Sequence, residues 1–324
     1  MTRRAWLAFA AISLIWGVPY LFIKIADEGG VTPLVLAWSR VTLAAVVLLL
    51  LAWRSGKLPT LRGRWRWVAA YGIAEAAIPF PMIAAGEEHV ASSVTAIVIA
   101  SVPLIGALLA LRFDQTERPT PLRAVGLVVG FAGVIALVGI DVVGSGPELL
   151  GTGAILIAAT GYAIGPMVIK HRLAGTDSGA MVGASLAIVS VLLTPFAVFD
   201  LPRRWPSTGG IAALLVLALI CTAAALVVYT VLIREAGTSR ATVITYVNPV
   251  VAVALGVAVL GERPGAGAVA GLLLILAGSW LSTGGGLPPR LRAVDPFAAQ
   301  MARRRGRSGT GNAGAMSEAS TCAA

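Results

Sequence analysis

Long apolar runs separated by short polar segments dominate this chain. The runs hold about 18 to 23 residues, and at about 1.5 Å per residue a helix of that length crosses a hydrocarbon core of about 30 Å. The pattern therefore predicts an all-α membrane protein with ten transmembrane helices. The predicted spans are residues 6–26, 33–53, 67–85, 91–111, 122–140, 149–169, 179–199, 211–233, 241–260 and 266–283.

The second half of the chain repeats the pattern of the first half. Matching residues keep an offset of 146 positions, or 145 near the end of each half, and so constant a register indicates a duplication. Each copy holds five spans, an odd number, so the second copy must cross the membrane in the opposite sense. We predict two inverted five-helix repeats, residues 1–140 and 149–284. The matching pairs include Trp16 and Tyr162, Lys24 and Lys170, Ser93 and Ser239, Pro103 and Pro249, and Gly126 and Gly271.

Composition and charge agree with a membrane protein. Hydrophobic residues make up 57% of the chain and charged residues 12%, whereas soluble domains carry about a quarter charged residues. If the first residue is cytoplasmic, the outer loops hold only three basic residues, Arg203, Arg204 and Arg263. Because lysine and arginine collect on the cytoplasmic side of membrane proteins, both termini are predicted to be cytoplasmic.

The net charge of +10 does not predict nucleic-acid binding. The basic residues spread along one membrane face without interleaved aromatic residues, a distribution that fits contact with anionic lipid. After the last span, Gly, Ser, Ala and Arg replace the apolar periodicity. We expect residues 288–324 to form a disordered basic tail in the cytoplasm.

The sequence lacks the constellations that a membrane-embedded enzyme needs. Its two histidines, His89 and His171, fall in predicted loops on opposite sides of the membrane, and its two cysteines have no metal-ligand spacing. A phosphate-binding Gly-Lys-Ser or Gly-Lys-Thr is absent, which excludes ATP-driven transport on this chain. We therefore predict no enzyme activity, no cofactor and no metal. Inverted repeats favour a carrier over a passive channel or a non-transport membrane scaffold.

Prolines and polar side chains interrupt several spans. Pro103 and Pro249 each remove an amide donor, so they should face a neighbouring helix or a wet cavity, either as packing kinks or as hinges on the substrate path. Hydrogen-bonding side chains inside spans usually turn toward protein or water. These polar-tipped residues are Trp16, Tyr20, Tyr162, Tyr246 and Asn248, of which Tyr20 is better suited to an interfacial anchor.

Three ionisable side chains lie inside the predicted spans, where a charge needs a partner, a cavity or a function. Lys24 is close enough to a span end to reach the membrane surface. Glu75 is the deepest, about 13 Å from the start of its span, and is the candidate for proton coupling or for binding a substrate amine. Arg40 is the candidate for a structural role, either by reaching the surface or by pairing with Glu75.

The chain resembles the EamA family of the drug/metabolite transporter superfamily. The resemblance covers about residues 5–284 and rests on the order and spacing of several short segments across ten spans. These segments are Ile15-Trp16-Gly17, Arg40, Asn248-Pro249-Val250, Gly261-Glu262 and a glycine-bearing last span. The first repeat departs from the family pattern, since Phe113-Asp114 stands where the second repeat has Gly-Glu.

The resemblance implies a secondary-active carrier of the bacterial inner membrane that works by alternating access, often as an exporter of amino acids or related metabolites. Similar transporters line a central cavity from helices 1, 3, 4, 6, 8 and 9. The cavity candidates are therefore Trp16, Glu75, Pro103, Tyr162, Tyr246, Asn248 and Pro249. The expected partners are a small-molecule substrate and membrane lipid, with a monomer as the default state.

Overall fold

The computed structural model describes residues 2–113, 121–137, 146–236 and 244–282. All regular elements within these ranges are helices, which we number α1 to α10 in chain order. Their bounds are Arg3–Glu28 for α1, Pro33–Arg54 for α2, Trp65–Glu87 for α3, Ser92–Ile99 and Val102–Phe113 for α4, Pro121–Leu137 for α5, Gly146–Leu173 for α6, Ser178–Phe199 for α7, Thr208–Leu215, Val216–Ala224 and Ala225–Ala236 for α8, Ile244–Leu260 for α9, and Ala266–Ser282 for α10.

The predicted spans correspond to helices of this structure. Seven of the described helices, α1 to α4 and α6 to α8, are long and apolar enough to cross a membrane, and α5, α9 and α10 are shorter apolar helices. The observed ends differ from the predicted ones by a few residues, and α3 reaches Glu87 instead of stopping at residue 85. The predicted tail, the end of the fifth span and the start of the ninth lie outside the described residues.

Helices of the first half of the chain pack mainly against helices of the second half. The contact of α5 with α10 is the most extensive in the chain, and the contact of α2 with α7 is the next. α1 packs on α8 and α9, and α6 packs in the corresponding way on α3 and α4. The main interfaces are thus reciprocal: when α1, α3 and α4 are exchanged for their counterparts α6, α8 and α9, the same pairs of helices are in contact.

Glycines bring α5 and α10 into backbone contact. A Cβ on Gly133 would lie 2.8 Å from the backbone nitrogen of Ile275 and 2.9 Å from the carbonyl oxygen of Gly271. A Cβ on Gly126 would lie 2.8 Å from the carbonyl oxygen of Gly278. Because small residues permit such close approach between membrane helices, the glycine faces of both helices serve as a packing surface inside the chain.

Polar contacts fix the helix ends. Asp200, which follows α7, accepts a hydrogen bond from the backbone nitrogen of Leu34 at 3.0 Å and so caps the first turn of α2. Asp177 caps α7 through the backbone nitrogen of Ala180 and forms an ion pair of 2.8 Å with Lys57. Burial alone would raise the pKa of Asp177, but the hydrogen bonds from Lys57 and Ala180 outweigh it and hold the pKa below its ordinary value.

Candidate functional site

Glu75 lies where α3 departs from α-helical geometry. Residues Ile73–Ala77 form a π-helical turn, in which the nitrogen of Ile78 donates to the carbonyl of Ile73 at 3.1 Å. Pro79 follows and has no amide proton, so the normal hydrogen-bond ladder cannot continue there. Wide turns of this kind are frequent at functional sites, and at membrane depth they need protein or water around them.

The carboxylate of Glu75 lies against α6. It fills the space above Gly165, where a Cβ would collide with Oε2, and the ring of Tyr71 lies beside it. One turn earlier, Gly161 brings α6 onto the backbone of Ala74. In the described part of the chain, Oε2 of Glu75 is buried and has no hydrogen-bond partner. A carboxyl group in this state is suited to hold a transferable proton or a substrate cation.

Arg40 lies in the core of the bundle, and its contacts differ from both roles predicted for it. Its Nε donates to Oγ1 of Thr222 on α8 at 2.9 Å, and its guanidinium carbon lies 4.1 Å from the ring centroid of Phe80 on α3. The side chain is 8% exposed, so it does not extend to the surface. Among the described residues the ion pairs do not include one between Arg40 and Glu75, and the predicted pairing is therefore not formed here.

Tyr162 of α6 is a neighbour that Arg40 and Glu75 have in common. It interacts electrostatically with both Arg40 and Glu75, and it packs against two of the apolar core clusters. Tyr20 of α1 also interacts with Arg40 and packs in the interior, which is not the position of a simple interfacial anchor. Tyrosines of two helices thus interact electrostatically with the buried guanidinium.

The break in α3 has a counterpart in α8. Val216–Ala224 is also π-helical, and it contains both Thr222 and Cys221. At the offset of 146 residues, Cys221 occupies the position in the second half that Glu75 occupies in the first. The two halves therefore place a wide turn at equivalent positions, one with a carboxyl group and one with a thiol.

Trp16, Asn248 and Pro249 come from the contact of α1 with α9. Gly17 lets these helices approach, since a Cβ there would lie 2.5 Å from Cγ1 of Val251. In the amide orientation that gives its nitrogen two acceptors, Asn248 donates to the carbonyl of Ser13 at 3.2 Å and to that of Ile244 at 3.0 Å. Two of the family-like segments of the sequence therefore contact each other.

Trp16 is linked to the Glu75 region through Tyr229 of α8. The rings of Trp16 and Tyr229 lie 4.9 Å apart between centroids, and Tyr229 interacts electrostatically with Glu75. The side chain of Tyr246 lies outside the described residues. The cavity candidates thus fall into a group around Glu75 and Tyr162 and a group at the α1–α9 contact.

The two matched prolines have different local structures. α4 ends its first segment at Ile99 and restarts at Val102, so Pro103 lies in the first turn of the second segment, where its missing amide costs no helical hydrogen bond. Pro249 is buried inside the unbroken helix Ile244–Leu260. The interruption expected at Pro103 is a helix break between two segments, whereas Pro249 does not break its helix.

Glu87, which the sequence pattern places in a loop, is fully buried at the end of α3. Lys24 donates to its backbone carbonyl at 2.8 Å and lies 3.9 Å from Asp27, as expected for a lysine at a helix end. Within the described ranges, the Glu87 carboxylate interacts with the side chain of Thr95, but neither of its oxygens has a partner at ordinary hydrogen-bond distance. The sequence reading missed this acid because Glu87, Glu88 and His89 together have the composition of a polar loop.

The Gly261-Glu262 pair caps α4 from the opposite half of the chain. Glu262 accepts hydrogen bonds from the backbone nitrogens of Ser92 at 2.8 Å and Ser93 at 3.0 Å. Gly261 has a φ of 67°, which favours glycine, and Gly256 leaves room for the returning carboxylate. Burial would raise the pKa of Glu262, but the hydrogen bonds from Ser93 and Ser92 outweigh it and hold the pKa below its ordinary value.

Two open grooves lie away from Glu75 and Arg40. One, of about 490 Å³, is lined by residues around the start of α4 that include His89, Glu148, Glu262 and Arg263, and the other, of about 240 Å³, lies between apolar residues of α4, α9 and α10. Among the described residues there is no group of three side chains that could hold a metal ion. The candidate site is the set of residues around Glu75, Tyr162 and Arg40, where a carboxylate oxygen is buried without a partner among the described residues.

A bundle of apolar helices with ionisable side chains beside broken segments is typical of membrane transport proteins. The sequence model of the EamA-like transporter family matches residues 3–139 and 149–284. The chain belongs to this family.

Individual relatives agree with this assignment. An Escherichia coli K12 protein described as "Uncharacterized inner membrane transporter YedA" is 34% identical over 264 residues, which cover 79% of this chain and 82% of the relative. An Archaeoglobus fulgidus "Uncharacterized transporter" is 25% identical over 292 residues, 86% of this chain and 98% of the relative. A solved crystal structure with 21% identity has a TM-score of 0.62 over 86% of this chain and 97% of that chain, which supports the fold alone.

Proposed function

We propose that this protein is a secondary-active transporter of the inner membrane that exports amino acids or related small metabolites by alternating access. The observation that carries the proposal is the position of Glu75. Its carboxylate lies in a wide turn of α3, faces Gly165 of the opposite half of the chain, and has a buried oxygen without a partner among the described residues. A proton or a substrate amine would neutralise it there.

The proposed architecture is ten transmembrane helices in two inverted repeats with both termini in the cytoplasm. Two observations support it: the family matches the chain twice, and the interfaces between the halves are reciprocal. In transporters built from such repeats the substrate binds near the midplane between them, and rocking of one against the other exposes the site to each side in turn. Glu75 and Tyr162 would belong to that site, with Trp16, Pro103, Asn248 and Pro249 on the helices around it.

The proposal is tested by transport into and out of proteoliposomes that contain the purified protein. Labelled amino acids and related metabolites are loaded on one side, with and without an imposed pH gradient. A carrier shows saturable flux and exchange between labelled and unlabelled substrate, whereas a channel shows neither. Flux of no metabolite in the panel above that of empty liposomes, or flux without saturation and exchange, would contradict the proposed function.

The coupling role of Glu75 is tested with Glu75→Gln. The amide keeps the shape of the side chain but cannot release a proton, so we expect a folded protein that still exchanges substrate while the pH gradient no longer drives net transport. Glu28→Gln, an exposed acid at the end of α1, is the matched control and should keep the response to the gradient. A folded Glu75→Gln protein with unchanged gradient-driven transport would remove Glu75 from the coupling mechanism.

A further inference from the structure

Arg40 has an orientation that its protein contacts fix and a charge that they do not neutralise. Its Nε is engaged by Thr222 and one face of its guanidinium is covered by Phe80. These contacts come from α8 and α3, so three helices hold the group in one place. Counted from the start of α2 at about 1.5 Å per residue, it lies about 10 Å along the helix.

The described residues provide no acid in ion-pair distance of this cation. Their ion pairs are formed by Lys24 and Lys57, and the ionisable side chains that interact with Arg40 are Tyr162, Cys221, Tyr20 and Glu87, in that order of strength. Glu87 is the only acid in this set and is the weakest contributor. A guanidinium buried in a membrane protein is expected to have a partner, a cavity or a function. A hydroxyl and an aromatic ring do not cancel its charge.

The part of the Arg40 guanidinium that is not in contact with protein determines which ligand it can bind. With Nε and one ring face occupied, the terminal Nη atoms remain, and the planar guanidinium fork matches a carboxylate that accepts two parallel hydrogen bonds. The phenol groups of Tyr162 and Tyr20 are additional donors in the same surroundings. A buried guanidinium with these donors around it suits a single negative charge on a small molecule.

A group of opposite charge shares Tyr162 with Arg40. Tyr162 interacts electrostatically with Arg40 and also with Glu75. A small molecule with a carboxylate and an amine could therefore contact Arg40 with the first and Glu75 with the second. This arrangement specifies the substrate chemistry more closely than the family does.

We propose that Arg40 is the binding group for a carboxylate of the transported molecule, held in position by Thr222 and Phe80. The inference rests on the proposed transport function, and it names the substrate class as small monocarboxylates, with amino acids among them. Arg40 is thus a substrate-binding residue and not merely a structural one.

The test measures binding without transport. The melting temperature of the purified full-length protein in detergent is recorded with glycine, L-alanine, L-leucine and L-phenylalanine, each against its carboxamide, with acetate against acetamide, and with inorganic phosphate. We expect at least one acid to raise the wild-type melting temperature while its amide does not. The wild-type protein then has a carboxylate-dependent shift that the variants can be compared with.

Four variants separate binding from stability. Arg40→Gln should lose the acid-specific shift in melting temperature. Arg40→Lys should need about tenfold or more acid for the same shift, because an ammonium cannot form the paired hydrogen bonds. Thr222→Val should need several-fold more acid than wild type. Arg54→Gln makes the same change at the exposed end of the same helix and should behave as wild type. If Arg40→Gln does not fold, Arg40→Lys and Thr222→Val decide the question.

The proposal is overturned if no acid stabilises the wild type more than its amide, if phosphate alone does so, or if folded Arg40 variants keep the wild-type acid dependence. Failure here is distinguishable from failure of the proposed function. Saturable exchange of a monocarboxylate by Arg40→Gln in proteoliposomes, at the wild-type acid dependence, would leave a carrier in place and remove the carboxylate site. Absence of saturable flux in every protein, wild type included, would remove the carrier itself.

Discussion

Single carboxylates in this protein differ in the hydrogen-bond donors around them. Glu262 accepts backbone hydrogen bonds from Ser92 and Ser93, whereas Glu75 has a buried oxygen without a partner among the described residues. An acid that is fully hydrogen-bonded stabilises the fold, and an acid left without donors in a closed interior is available for a ligand or a proton.

Loss of the Glu262 cap should destabilise the protein. Glu262→Ala removes the hydrogen bonds to the start of α4, and we expect a loss of about 2 kcal/mol in the free energy of unfolding. Because the folded pKa of Glu262 is below its ordinary value, its contribution is complete above the unfolded pKa and is lost as the pH falls through the folded pKa. The difference in melting temperature from wild type should therefore shrink between about pH 7 and about pH 3.

Glu28→Ala is the control for this measurement, since Glu28 is exposed at the end of α1. It should change the melting temperature little at any pH. An equal effect of the two substitutions, or a difference for Glu262→Ala that does not depend on pH, would contradict the capping role.

Individual residues also mark where sequence reasoning stops. The depth of Glu75 in an apolar span indicated it as a candidate, and the spacing of Trp16 and Tyr162 was part of the pattern that predicts a repeat. Thr222 gave no signal as the partner of Arg40, because the two residues are 182 positions apart in sequence and meet only through packing of α2 on α8. Glu87 was missed because polar neighbours conceal the last two residues of α3.

At the scale of helices, the apolar runs predicted the approximate positions of the described helices but not their internal geometry. A run of apolar residues is compatible with an α-helix, a π-helical turn or a break, so Ile73–Ala77 and Val216–Ala224 are not visible in the pattern. Pro79 gave a local signal for the first of these turns. The restart of α4 at Val102 depended on neighbouring helices and could not be inferred from Pro103 alone.

The close contact of α6 with the wide turn of α3 predicts a sharp contrast between two glycines of α6. A Cβ on Gly161 would collide with the carbonyl of Ala74 and lie 3.0 Å from Cγ of Pro79, whereas a Cβ on Gly153 would meet nothing within 4 Å. Gly161→Ala should cost about 1 to 3 kcal/mol of stability through overpacking. Gly153→Ala should be neutral or stabilising by up to about 1 kcal/mol, because alanine favours the helix.

Thermal melts of the two purified variants check this contrast. Equal melting temperatures would mean that α3 can shift away from α6 without cost, and the tight contact beneath Glu75 would then not be a fixed feature of the site.

For the whole molecule, the arrangement of basic residues predicts which helix ends face the cytoplasm. Single cysteines at the exposed positions Glu28 and Ser55, in a background with Cys322→Ser, should differ in reaction with an impermeant thiol reagent added to intact cells. Glu28→Cys should be labelled and Ser55→Cys should react only after the membrane is opened. The remaining cysteine, Cys221, is buried. The reverse labelling pattern would invert the proposed topology.

The reciprocal packing of the two halves has a consequence for the way the protein is made. The main partner of α5 is α10, the last helix of the described chain, and α2 finds its main partner in α7. When α1 to α5 have been synthesised and inserted, their main partners are therefore still missing. The glycine face of α5 still contacts lipid, and Arg40 of α2 still lacks Thr222. The first half therefore remains incompletely folded until the helices of the second half, against which it packs, have been translated.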